Sequence, residues 1–123
     1  MNITIEPLDV RLSVCKVEDY SRTDISRPFC FTGCTDEEFS LVCQTELVPG
    51  NTTERDDGWR AFRIAGVLDF SLIGILARIS DILAQNGIGL FAVSTYNTDY
   101  ILTKEENFDR AIEVLGNAGY IIK

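Results

Sequence analysis

Apolar residues recur at three- and four-residue steps at Leu72, Ile75, Leu76, Ile79, Ile82 and Leu83, while Arg78, Asp81 and Gln85 fall on the other side. That period predicts an amphipathic helix, ended at Asn86-Gly87, where glycine can take a left-handed conformation. Residues 88–95 then read as a nearly continuous apolar strand that turns through Tyr96-Asn97-Thr98 and returns over 99–103. A second helix is expected from Thr103, whose hydroxyl suits a capping box with Glu106. Phe108, Ala111, Ile112 and Leu115 supply its buried face, and Gly119 lies just past its end. With an alternating strand at 59–65 before the first helix and a short edge strand at 120–122, the order is βαββαβ. This is the split arrangement of ferredoxin-like α+β folds, with helices on one face of an antiparallel sheet.

The earlier residues carry strand patterns at 10–17, 29–32 and 39–43, joined by polar connections, but no strong helix. In the first of these Val10, Leu12 and Val14 alternate with Arg11, Ser13 and Cys15. Residues 49–58 are polar and rich in turn formers, and read as a loop or linker. Two units are therefore expected: 1–57 as an abbreviated version of the fold and 58–123 as the complete one.

Length and composition allow a packed core, with 46% apolar residues in 123. The longest apolar runs fall short of the ~20 residues that span a bilayer, and MNITIEPLDV lacks the basic and apolar segments of a secretion signal. A cytoplasmic location without a membrane partner is expected. Eleven Lys and Arg against 19 Asp and Glu give a charge of −8, which disfavours nucleic acid. Arg60 and Arg63 are the densest basic pair. Histidine is absent, which removes the commonest general base and metal ligand. Cys30 and Cys34 make only half a zinc site, while Cys15 and Cys43 lie in strand-like runs. Reduced thiols, no metal and no cofactor are expected.

Two polar turns remain as candidate chemistry. The chain enters the first helix through Ser71, Leu72, Ile73 and Gly74, where unpaired amides present partial positive charge to a carboxylate. Gly74 leaves that approach open, although close packing alone would also explain it, and Ser71 or Asp69 suits ordinary capping. At the hairpin, Thr95 offers a hydroxyl, Tyr96 an aromatic wall and Asp99 a partner for an ammonium group. Turn geometry alone would also account for the Asn and Asp there. Taken together, the two elements suit a zwitterion.

GWRAFRIAGVLDFSLIGILARISDILAQNGIGLFAVSTYNTDYILTKEE, as an ordered set, resembles the ACT domain, in the branch of small bacterial two-ACT proteins related to the cytosolic arginine sensors. LSVCKV and FSLVC of the first half are similar to that branch as well. The resemblance implies an amino-acid-binding regulatory module with its ligand at an interface between ACT units. It also implies backbone contacts from Leu72, Ile73 and Gly74, and polar contacts from Thr95, Tyr96 and Asp99. The first half departs from a full ACT unit in lacking helices, which makes a site shared between two chains a serious alternative.

The resulting expectation is a non-catalytic protein that binds a small amino acid. A homodimer is expected because both faces of the 88–95 strand read as apolar. The rival is an interaction module that oligomerises through its sheet without a ligand. An enzyme is disfavoured, since no nucleophile-base pair or metal cluster can be assembled.

Overall fold

A computed structural model describes residues 3–66 and 73–123. In chain order the elements are β1 (Thr4–Val17), β2 (Phe31–Cys34), β3 (Phe39–Gln44), a 3-10 turn (Thr45–Leu47), β4 (Thr52–Ile64) and α1 (Ile75–Gln85). They continue with β5 (Phe91–Ser94), β6 (Asp99–Lys104), α2 (Glu105–Asn117) and β7 (Ile121–Ile122). Contacts divide the chain into two units: Val10–Trp59, and Met1–Asp9 with Arg60–Lys123. Among the described residues no helix is long and apolar enough to cross a membrane.

In the later unit the strands lie in the order β7-β1-β4-β6-β5. The segment from β4 to β7 has the βαββαβ order expected of a ferredoxin-like α+β fold, and β1 is interposed between β7 and β4. The Ala65 amide donates to the Thr4 carbonyl at 2.9 Å, and Glu6 reaches Arg63, so β1 ascends as β4 descends. β7 runs parallel to β1, with Ile121 opposite Thr4. β5 and β6 form the antiparallel hairpin, Ser94 opposite Asp99. Alternation along β4 sends Phe62 and Ile64 into a core shared with Ile5, Ile101, Ile79 and Leu83 of α1, and Phe108, Ala111 and Leu115 of α2. The Phe62 and Phe108 rings pack at 6.5 Å. Helical spacing places Ile79 and Leu83 four residues apart on one face, and Gly87 at φ 71 follows the end of α1 as the sequence predicts.

In the earlier unit the order is β2-β3-β1-β4, with no α-helix among its described residues. Cys15 and Val17 of β1 pack with Leu41 and Cys43 of β3, flanked by Tyr20, Cys30 and Val48. Turns cover this face: the Asp19 carboxylate accepts from the Ser21 amide and hydroxyl, and Asp24 does the same with Ser26. Tyr20 meets Phe39 edge-on at 5.5 Å and donates its hydroxyl to the Ser40 carbonyl.

Several expectations are corrected. Residues 52–58, read as linker, are the first half of β4. Their side chains are mostly exposed, so no apolar period marks them, and pairing with β1 holds them instead, the Thr53 hydroxyl also donating to the Lys16 carbonyl at 3.2 Å. Gly58 sits within that strand at φ 84, a left-handed conformation that favours glycine. β1 starts at Thr4 rather than residue 10, because β4 and β7 supply partners that a local pattern does not reveal. Its alternation also fails at Ser13, which is fully buried because its hydroxyl donates to Asp57 at 2.5 Å and meets Thr45 at 2.9 Å. Cys15 is buried too. β2 starts at Phe31, following Pro28 and Phe29, the latter at φ 59. The capping box is absent: α2 is capped by Lys104 without a side-chain bond, and Thr103 is fully buried in β6. On β5, Ala92 is exposed and Phe91 and Val93 are half-buried, so the strand is not buried on both faces.

Candidate functional site

An open pocket of about 210 Å³ lies at the carboxyl end of β4 in the later unit. Ile3 contributes one wall, Ala118, Gly119 and Tyr120 another, and Ile73, Gly74, Ile75 and Arg78 bring the start of α1 to it. Gly74 is the N-cap, at φ 86 and ψ 3, and its carbonyl accepts the Arg78 amide at 2.9 Å. A Cβ there would meet no atom within 4 Å, so backbone conformation rather than space demands glycine. First-turn amides of a helix lack intrahelical partners and carry partial positive charge. Arg78 adds a full positive charge one turn further on. Among the described residues no carboxylate forms an ion pair with it. Opposite, Gly119 at φ 104 ends α2, with the Tyr120 amide returning to Leu115 at 3.1 Å.

The hairpin tip stands at the same end of the sheet, because the Thr98 hydroxyl donates to the Ile64 carbonyl at 2.8 Å. The Thr95 amide and hydroxyl both donate to the Thr98 carbonyl. Asp99 accepts from the Ser94 hydroxyl at 2.6 Å, and Tyr96 is 79% exposed. Of the expected site residues, Ile73 and Gly74 line the pocket, whereas Thr95, Tyr96 and Asp99 gather on the hairpin without lining it. Ser71 and Leu72 lie outside the described residues. Sequence reasoning missed Arg78, assigned only to a polar helix face, although its place one turn after Gly74 is a signal that was available. Ile3 and Tyr120 come from β1 and β7, whose pairing no local pattern reveals.

The densest basic pair is engaged within the fold. The Arg60 guanidinium lies 4.2 Å from the Phe108 ring. Arg63 donates to the Tyr100 hydroxyl at 3.3 Å and to Glu6 at 3.1 Å, and the bond to Glu6 holds that carboxyl below its usual range. All four cysteines are free thiols, Cys15 and Cys43 buried. Burial pushes the Cys43 thiol up to about 12 and raises Cys15 and Cys30. No group of three metal-ligating side chains converges among the described residues.

The family model of the ACT domain matches residues 54–117. The chain belongs to the ACT domain family, whose members are typically amino-acid-binding regulatory domains. It is similar to the human cytosolic arginine sensor for mTORC1 subunit 1, at 38% identity over 65 residues, which is 52% of this chain and 20% of that protein. The match thus spans about a fifth of the relative's length. An X-ray structure of a protein from Agobacterium tumefaciens superposes over 100% of this chain and 93% of its own, with a TM-score of 0.84 and 27% identity. Aspartate kinase of Clostridium acetobutylicum, at 13% identity and a TM-score of 0.66, covers 94% of this chain and 34% of its own, and shares the fold.

Proposed function

We propose that this protein is a non-catalytic regulatory module of the cytoplasm that binds a small amino acid in the pocket at the start of α1 and acts as a homodimer. The observation that carries the reading is that pocket, where a left-handed glycine, the amide end of a helix and a guanidinium converge beside apolar walls. A carboxylate docks against Ile73, Gly74 and Arg78; Ser71 and Leu72, which precede them in sequence and lie outside the described residues, are assigned to the same site. Thr95, Tyr96 and Asp99, on the hairpin at the same end of the sheet, are the proposed polar partners, with Asp99 assigned to the ammonium group although none of the three lines the pocket. The relative's name as an arginine sensor supports amino-acid sensing as the class of function. No cofactor or nucleic acid is required by this role.

In the same reading, the earlier unit is an abbreviated ACT-like unit. Its strands β1, β2, β3 and β4 follow the order of β4, β5, β6 and β7, with turns standing where the helices would be.

A thermal-shift screen of the whole chain against each standard amino acid tests the proposal. A ligand at ~100 times its dissociation constant adds ~2.7 kcal/mol of stability, a visible rise in midpoint. Asp99→Asn should then weaken the best ligand about ten- to a hundredfold while leaving the fold intact. Equal affinity would remove Asp99 from the site, and a screen with no binder would sink the proposal. Light scattering should give a dimer mass, and a monomer across a wide concentration range would refute self-association.

A further inference from the structure

We infer that the pocket selects an amino acid with an acidic side chain and rejects basic ones, an inference that rests on the amino-acid-binding reading above. The chain carries 19 acidic and 11 basic residues, so an unselected surface would more often present carboxylates. The described wall of this pocket reverses that bias: Arg78 is its one charged side chain. Arg78 lies four residues after Gly74, and one helical turn rises about 5.4 Å. The amide end of α1 and the Arg78 guanidinium thus both bring positive charge to this pocket. An α-carboxylate and a side-chain carboxylate, joined by a short aliphatic stem, can engage the two together. Ile3, Ile75 and Tyr120 offer that stem apolar surface. A lysine or arginine ligand would instead bring a second cation against Arg78, and its long side chain would find no carboxylate among the described lining residues.

The test is calorimetric titration of the full chain with glutamate, aspartate, leucine and arginine, repeated on Arg78→Gln and Arg78→Lys. The expected result is that glutamate or aspartate binds tightest. Arg78→Gln should weaken that ligand about ten- to a hundredfold, and Arg78→Lys should restore much of the loss because the charge returns. Arg78 is exposed on α1, so an unchanged thermal midpoint of the unliganded variants would locate the loss in binding. Tightest binding of leucine or arginine would overturn the inference, as would acidic binding indifferent to Arg78→Gln, while leaving the amino-acid-binding proposal intact. Failure of every amino acid to bind would overturn both.

Discussion

The two units arrange strands in related orders but cover them differently. In the later unit, α1 and α2 lay Ile79, Leu83, Phe108 and Leu115 over Phe62 and Ile64. In the earlier one, turns place Tyr20 and Val48 over Cys15, Leu41 and Cys43. Helices deliver long side chains at a fixed depth, so large residues interdigitate beneath them. Turns satisfy their own backbone groups through Asp and Ser side chains and cover a shallower core in which small thiols fit. The difference also locates the candidate chemistry, since a helix end with unpaired amides is available only in the unit that has helices.

The sharpest way to break this comparison is to empty each core in turn. Phe62→Ala should cost ~3–5 kcal/mol, because a fully buried ring under two helices leaves a void they cannot close. Leu41→Ala, equally buried but beneath turns that can settle inward, should cost nearer ~2 kcal/mol, the low end for such truncations. Urea unfolding of the two variants checks the ranking, and a larger loss for Leu41→Ala would reverse the contrast.

A smaller effect comes from alkaline pH. Unfolded, the Cys43 thiol ionises near 9.0, while folded it stays protonated to about 12. The folded pKa is the higher one, so this contribution is fully present below pH 9 and is lost as pH rises towards 12. The loss from this thiol sets in near pH 9 and grows by roughly 1 kcal/mol per pH unit above it. Cys43→Ala should flatten the slope of unfolding free energy between pH 8 and 10, and an unchanged slope would reject the assignment.

Much of the later unit is legible in the sequence. Ile79 and Leu83, Phe108, Ala111 and Leu115 declare their helices by period, and Phe62 and Ile64 declare their strand by alternation. What escaped depends on pairing. Residues 52–58 hold a strand with exposed polar side chains, so only the ladder to β1 identifies it. Thr103 looks like a cap because its neighbours in sequence fit one, yet β6 continues past it and buries it. The candidate site divides along the same line. Ile73 and Gly74 were legible as a helix entrance, whereas Ile3 and Tyr120 reach the pocket through β1 and β7, distant in sequence.

The parallel contact of Thr4–Ile5 with Ile121–Ile122 joins the first strand in the chain to the last. During synthesis β1 emerges well before β7, so the ladder of the later unit closes only after nearly all of this sequence has left the ribosome. A fragment cut at residue 58 would contain every helix of that unit and still lack β1, leaving β7 without its neighbour. The seam for dividing this sequence is therefore not the polar stretch that looks like a linker, because a cut there separates β1 from the unit it completes.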